Sequence, residues 1–166
     1  MNIREALNAT DLDAARSIFR EYIASISHVA ACSFEHQRAD DEIRDLPGKY
    51  APPSGAIFLA FDGPVCVGCA ALRPLPSGAT DQCELKRMYV RPTHRAQGLG
   101  GALCEAVMAR ASAAGYRRIF LDSDPELEAA LRLYRRLGFV DTPRFNDDPD
   151  PRTIYMARAV EGLAGM

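Results

Sequence analysis

A glycine-rich segment in the second half of the chain has the residue types of a phosphate-binding loop. Residues Arg95-Ala96-Gln97-Gly98-Leu99-Gly100-Gly101 follow a predicted strand and lead into a predicted helix. The first N–H groups of a helix have no partner within the helix, and the helix dipole favours negative charge at that end. Glycine lets a ligand approach the backbone closely, and Arg95 adds a positive charge. The segment is therefore a candidate phosphate site.

Two familiar phosphate-binding motifs do not fit this segment. A Walker A motif would need Gly-Lys five and six residues after Gly98, but Leu103 and Cys104 stand there. The dinucleotide fingerprint G-x-G-x-x-G also fails at Leu103. Helix capping and close helix packing would explain the glycines equally well, so both interpretations stay open on this pattern alone.

The strand before the loop, residues 82–90, changes its hydrophobic alternation halfway. Cys83 and Leu85 share one parity, whereas Met88 has the other. A slip of one residue moves every following side chain to the opposite face. The strand therefore is either buried on both faces or contains a β-bulge near Lys86-Arg87, and we favour the bulge. Bulges often lie beside active sites.

The rest of the chain alternates between strand and helix patterns without internal repeats. Strands are predicted at 2–6, 56–61, 65–72, 117–121, 139–140 and 153–157, with a hairpin at Asp62-Gly63. Helices are predicted after a cap at Thr10 or Asp11, over 35–46, from the glycine loop to Gly115, and from Asp124-Pro125 to Gly138. This order predicts one α/β domain over residues 2–159.

Composition excludes several classes of protein. The 166 residues suit one domain, and 48% hydrophobic with 25% charged residues excludes wholesale disorder. A net charge of −2 gives no sign of a nucleic-acid partner. The longest stretch without a charged residue, Tyr22 to Phe34, is shorter than the ~20 residues that span a bilayer. With no apolar secretion signal at its start, we expect a cytoplasmic protein without a membrane partner.

The cysteines and histidines do not have the spacing of a metal site. Cys66 and Cys69 form a C-x-x-C, but a zinc site needs a second pair, and a redox pair usually opens a helix. These two lie within an apolar run, and the three histidines are scattered. We interpret the cysteines as small buried residues of a strand, and we expect no bound metal.

Three motifs in the right order resemble the GNAT superfamily, the acyl-CoA-dependent N-acetyltransferases. Arg95 to Gly100 fits the R/Q-x-x-G-x-G/A motif of that family. Leu85 to Pro92 before it and Leu133 to Phe139 after it also match, and the order of elements agrees from Asn2 to about Ala159. The resemblance implies the GNAT fold, a mixed central sheet of about six to seven strands with about four helices. In that fold, splayed strands form the acyl-CoA cleft.

The resemblance also implies how acetyl-CoA, the expected co-substrate, would bind. Backbone groups of Met88, Tyr89 and Val90 would pair with the pantetheine arm like an added strand. The backbone amides of the glycine-rich segment would hold the pyrophosphate, and these belong to Arg95, Ala96, Gln97, Gly98, Leu99, Gly100 and Gly101.

Two catalytic residues follow from the same resemblance. Glu84 stands where family members commonly carry a carboxylate, and it is the candidate base for the acceptor amine. Tyr134 matches the tyrosine of the family's L-Y-x-x-x-G-F motif and is the candidate acid for the leaving thiolate. A strand-edge ion pair is the alternative role for Glu84, and packing is the alternative for Tyr134. One departure is Leu127, where family members often have a cofactor-contacting Asn.

We therefore expect an enzyme that acetylates a primary amine of a small molecule by direct transfer. A protein-amine acetyltransferase and a non-catalytic acyl-CoA-binding sensor are the alternatives, and a homodimer is left open. Segments 31–55 and 145–152 are expected to frame the acceptor entrance. Five cationic residues in or beside these segments could attract a carboxylate, and these are Arg38, Arg44, Lys49, Arg144 and Arg152. A solvated surface position is the commoner role of such side chains.

Overall fold

The computed structural model describes residues 1–36, 38–76 and 78–162. In these residues seven strands and four α-helices alternate along the chain. The strands are β1 (Asn2–Glu5), β2 (Ala56–Asp62), β3 (Val65–Pro74), β4 (Gln82–Val90), β5 (Arg118–Ser123), β6 (Val140–Asp141) and β7 (Ile154–Ala159). The helices are α1 (Ala9–His36), α2 (Ala39–Arg44), α3 (Leu99–Ala113) and α4 (Glu128–Arg136), with short 3₁₀ turns at Gly48–Tyr50 and Pro92–His94.

The strands form one mixed sheet in the order β1-β2-β3-β4-β5-β7-β6. Neighbouring strands run antiparallel except β4 and β5, which are parallel. Residues of α1, such as Phe19, pack with Leu59 and Cys69 on one face of the sheet. Residues of α3 and α4, such as Leu103 and Leu131, cover the other face. The predicted α/β fold with a mixed sheet and four helices is confirmed.

The predicted hairpin after β2 is present. Asp62 pairs with Val65, so Gly63 and Pro64 alone make the turn. Gly63 has φ +56°, a left-handed conformation that favours glycine because other residues meet a steric penalty from Cβ. The turn fixes which residues of β2 and β3 face each other.

The start of α1 differs from the prediction, because the helix begins at Ala9 and Asn8 caps it. The Asn8 Oδ1 accepts a hydrogen bond from the Asp11 backbone N–H at 2.9 Å, and the Asn8 Nδ2 donates to Asp11 Oδ2 at 3.1 Å. This reciprocal pair satisfies an exposed helix donor and a side chain together. Thr10 and Asp11, the predicted caps, lie inside the first turn.

Two further helix boundaries differ from the prediction. The second helix covers only Ala39–Arg44, because positions 35 and 36 still belong to α1. The last helix begins at Glu128 rather than at Asp124, because the Asp124 carboxylate accepts a hydrogen bond from the Glu126 backbone N–H at 2.8 Å. A side-chain bond of this kind holds the backbone in a turn and delays the helix.

Candidate active site

β4 contains the bulge that its changed alternation predicts. Two of its residues, Arg87 and Met88, stand opposite one residue of β3 where the register shifts. Arg87 has φ +57°, which is left-handed and uncommon for a residue other than glycine. As a consequence Glu84 and Tyr89, which have opposite parity in the sequence, point to the same face of the sheet.

A buried ion pair holds the bulge residue Arg87. Its Nε donates to Glu42 Oε2 of α2 at 2.7 Å, and the two side chains are 2% and 4% exposed. Lys49 also pairs with Glu42. Burial alone would raise the pKa of Glu42, but the positive charges of Arg87 and Lys49 outweigh it and hold that pKa at about 2. Glu42 is therefore ionised at neutral pH and ties the bulge to α2.

β4 and β5 separate soon after they begin to pair. Over the described residues 82–90 and 118–123, the parallel ladder joins Gln82–Glu84 to Arg118–Phe120 and ends there. Beyond that point a cavity of about 80 Å³ lies between the strands, and Met88, Leu127 and Tyr134 are among the residues that border it. The splayed strands implied by the resemblance are thus present.

The edge of β4 that faces this gap contains the residues predicted to pair with pantetheine. Met88, Tyr89 and Val90 lie beyond the last β5 pair. The carbonyl of Val90 accepts a hydrogen bond from Arg95 Nε at 2.9 Å, so the Arg95 side chain folds back on the strand. The Tyr89 hydroxyl points away from the gap and donates to Glu21 of α1 at 3.1 Å.

The glycine-rich loop exposes its backbone before α3 begins. Residues 95–98 are exposed, and Ala96 and Gly98 have φ of +59° and +80°. The first helical bond is donated by the Ala102 N–H to the Gly98 carbonyl, so the amides of the first turn have no acceptor within the helix. Left-handed residues among right-handed ones turn successive N–H groups inward, which is an arrangement that binds anions.

Gly100 has a packing role as well. A Cβ at Gly100 would lie 3.1 Å from Leu133 Cδ2 of α4 and 3.9 Å from Met88 Sδ. At Gly98, in contrast, nothing lies within 4 Å of such a Cβ, and the positive φ is what favours glycine. Packing thus favours glycine at position 100 and the left-handed backbone favours it at position 98, while the phosphate role of the loop stays a prediction.

Tyr134 borders the gap between β4 and β5. Its side chain packs edge-on against Phe139, with the ring centroids 6.0 Å apart, and the residue is buried on the α3–α4 face. Burial raises the pKa of Tyr134 well above its usual range. The phenol is therefore protonated at neutral pH and can donate a hydrogen bond or a proton.

Glu84 occupies the last position at which β4 pairs with β5. The residue is 4% exposed, with its Oε1 3.5 Å from Lys86 Nζ and its Oε2 3.9 Å from Arg73 Nε. Burial raises its pKa more than the nearby Lys86 charge lowers it. A carboxylate with a raised pKa is a stronger base than one in water, as general-base catalysis requires.

The two candidate catalytic side chains border neighbouring cavities. Tyr134 lines the gap of about 80 Å³, whereas Glu84 lines a cavity of about 480 Å³ on the α1–α2 face. Lys86 and Asp148 border both cavities and so mark where they adjoin.

The charged groups around Glu84 are not among the site residues predicted from the sequence. Lys86 Nζ lies 3.5 Å from Glu84 and 3.7 Å from Asp122 of β5. Lys86 stands two residues after Glu84 in the same strand, so strand alternation alone could have predicted that both side chains lie on one face. Asp122 is far away in sequence and has no such signal.

The two segments expected to frame the acceptor entrance, 31–55 and 145–152, contact each other. Ser33 Oγ of α1 donates to Asp148 Oδ1 at 2.8 Å, and Thr153 Oγ1 donates to the same oxygen at 3.3 Å. Lys49 from the first segment and Asn146 from the second border the larger cavity. Asp148, whose carboxylate is buried, therefore forms part of the wall of this cavity.

An open mixed sheet that splits beside a glycine-rich helix start defines a class of acyl-group transferases, and comparison with known proteins agrees. The model of the acetyltransferase (GNAT) family matches residues 21–139. An uncharacterised N-acetyltransferase of Schizosaccharomyces pombe is 33% identical over 147 residues, which cover 88% of this chain and 86% of that one. The chain therefore belongs to the GNAT family, and it is an acyltransferase enzyme.

Solved structures share the fold at low sequence identity. A GNAT acetyltransferase from Staphylococcus aureus is 20% identical, with a TM-score of 0.74 over 96% of this chain and 99% of that one. An acetyltransferase structure from Salmonella typhimurium, which contains acetyl-CoA, is 22% identical, with a TM-score of 0.69 over 99% of this chain and 96% of that one.

Two further observations concern the described residues alone. None of their helices combines the length and the apolar character needed to cross a membrane. Their side chains include no group of three or more His, Cys, Asp or Glu residues that could hold a metal ion.

Proposed function

We propose that residues 2–159 form one N-acetyltransferase domain that moves an acetyl group from acetyl-CoA to a primary amine of a small molecule. The observation that carries this proposal is the parting of β4 from β5 directly after Glu84. Met88 and Tyr134 border this gap, and Met88 lies beside Gly100 of the glycine-rich loop, so a thin, extended cofactor arm could lie along it. We retain the cytoplasm as the expected location and assign no metal to the reaction.

The donor would be held mainly by backbone groups. The amides of residues 96–101 offer the pyrophosphate a set of N–H groups at a helix start, whereas the Arg95 N–H already donates to the Pro92 carbonyl at 3.4 Å. The free edge of β4 at Met88 and Tyr89 offers the pantetheine amides the kind of pairing that an added strand makes. Such backbone contacts do not depend on the Asn side chain that family members often have at the position of Leu127.

The chemistry would use one group on each side of the gap. Glu84 takes a proton from the acceptor, since an amine with a pKa near 10.4 is mostly protonated at neutral pH. The amine nitrogen then bonds to the acetyl carbon, the carbon–sulfur bond breaks, and the nitrogen releases its second proton to water as the amide forms. Tyr134, which burial keeps protonated, donates to the sulfur as it becomes a thiolate.

The size of the larger cavity favours a small acceptor over a protein. Its volume of about 480 Å³ lies in the range of small-molecule sites. The bond from Ser33 to Asp148 joins α1 to the segment after β6 at the wall of this cavity.

Calorimetry and a coupled assay test the proposed function together. Acetyl-CoA should bind stoichiometrically and raise the melting temperature, as a ligand of the folded state must. CoA release should then depend on added amine, with the acetylated amine confirmed by mass. A flat titration at millimolar acetyl-CoA would contradict the proposal, and the same titration with ATP is the control for general phosphate binding.

A further inference from the structure

Three cationic side chains border the 480 Å³ cavity beside Glu84, and two of them lie closer to acidic partners than the third does. Lys49 pairs with Glu42 of α2. Lys86 lies between Glu84 and Asp122. These two lysines balance carboxylates of the protein itself, so they offer little free charge to a ligand.

Arg73, the third cation, is not balanced in this way. Its Nε donates to the carbonyl of Pro74 at 3.2 Å, and the nearest carboxylate oxygen paired with it, Glu84 Oε2, is 3.9 Å from that nitrogen. Among the described residues, no acidic side chain comes within hydrogen-bond distance of the Arg73 guanidinium. The side chain is only 18% exposed. A poorly solvated guanidinium is stabilised by an anionic partner, and its planar fork matches a carboxylate in two parallel bonds.

The charges that line the cavity favour a ligand with one negative charge over a dianionic ligand. Three carboxylates, those of Glu84, Asp147 and Asp148, face the three cations, so the walls are close to neutral. A dianionic phosphate would meet as much repulsion as attraction. A ligand with one carboxylate and one ammonium group matches a wall that carries both signs.

We propose that the acceptor is a small amine that also carries a carboxylate, with the carboxylate bound by Arg73 and the amine directed toward Glu84. The inference rests on the proposed function and narrows its substrate class. Arg73 lies directly opposite Glu84 in the β3–β4 register, so both side chains extend into the cavity from the same face of the sheet. Arg73 acts here as a specificity-determining residue, since it holds the acceptor.

Matched amines that differ only at the carboxylate test this assignment. We would compare γ-aminobutyrate with 4-aminobutanamide, and 5-aminopentanoate with 5-aminopentanamide, because the chain separates the two ends and keeps the amines alike. The carboxylate member should have a kcat/KM about 10- to 100-fold higher, as expected for a hydrogen bond to a charged group. Arg73→Gln should remove this preference by raising the KM of the carboxylate member toward that of its amide, and the ratio within each pair is the readout because the lost charge also acts on Glu84. Arg73→Lys should keep part of it.

Arg117→Gln is the matched control, because Arg117 is an exposed arginine outside the cavity. It should leave both members of each pair unchanged. The proposal is wrong if no carboxylate-bearing amine is acetylated faster than its amide, or if the preference survives in Arg73→Gln. Turnover of amides alone would refute this inference and leave the proposed function intact, whereas failure to bind acetyl-CoA would remove both.

Discussion

The ion pair between Glu42 and Arg87 gives a prediction whose size follows from the structure. Glu42→Gln keeps the shape of the side chain and removes the negative charge that faces the buried guanidinium. Arg87 would then remain buried in the bulge of β4 without its charged partner. Removing one member of a buried pair typically costs about 3–5 kcal/mol, because the other charge stays desolvated.

The pKa of Glu42 gives an independent value for the same cost. That pKa falls from an ordinary 4.5 to about 2 in the folded protein, and one pKa unit corresponds to about 1.4 kcal/mol. The ionised carboxylate thus contributes roughly 3 kcal/mol to folding. The two routes agree, so we expect Glu42→Gln to lower the free energy of unfolding by about 3 kcal/mol at neutral pH.

Urea unfolding at several pH values is the assay. A carboxyl group whose folded pKa is depressed stabilises the protein above its unfolded pKa and loses that contribution as pH falls through the folded value. The difference between wild type and Glu42→Gln should therefore be constant above about pH 5. It should shrink as pH falls from 4.5 toward about 2, because Glu42 becomes neutral like glutamine.

A matched substitution in an exposed pair provides the control. Glu128→Gln removes a carboxylate that is 78% exposed and 3.6 Å from Arg132, and exposed pairs contribute about 0–1 kcal/mol. The reasoning would be refuted by a loss at Glu42 as small as that at Glu128. A wild-type-minus-variant difference that stays the same from pH 7 to pH 2.5 would refute it as well.

Three further predictions, with four substitutions, test the site. Gly98→Ala and Gly115→Ala both force alanine into a left-handed conformation at an end of α3, so each should cost about 1–2 kcal/mol of stability. Calorimetry should find weaker acetyl-CoA binding in Gly98→Ala alone, and equal affinities would contradict a phosphate role for the loop. Tyr134→Phe should lower kcat by about 10²–10⁴-fold with acetyl-CoA affinity unchanged, whereas full kcat would leave Tyr134 a packing role. Since burial raises the pKa of Glu84, kcat/KM should fall as pH drops through a pKa above the usual carboxyl range. In Glu84→Gln this acidic limb should vanish, and a variant with the wild-type pH profile would exclude Glu84 as the base.

The sequence predicted those parts of the fold whose signals are local. The bulge follows from the parity of Cys83 and Met88, and the hairpin follows from Asp62-Gly63. Capping is less specific, because Asn8, Thr10 and Asp11 are all good capping residues within four positions. The periodic pattern could not choose among them, and the reciprocal bonds of Asn8 with Asp11 decide the start of α1.

Only those residues of the candidate site that belong to a sequence motif could be predicted. The family motifs pointed to Glu84 and Tyr134, but the charges that surround Glu84 come from three different strands. Arg73 of β3 and Asp122 of β5 reach it through the register of the sheet and the parting of its strands. A single sequence carries no direct record of register, so this charge network could not be derived from spacing.

The split in the sheet explains how two residues on opposite faces could serve one reaction. Glu84 shares its face with Lys86 and Tyr89, toward α1 and α2, whereas Tyr134 is buried with α3 on the other side. An intact β4–β5 ladder would separate them by a continuous layer of backbone. Because the ladder ends at Glu84, pairing still fixes the carboxylate on one side, and the gap just beyond it opens toward the tyrosine. Glu84 is therefore the last residue of β4 that is paired on both sides, with β3 and with β5.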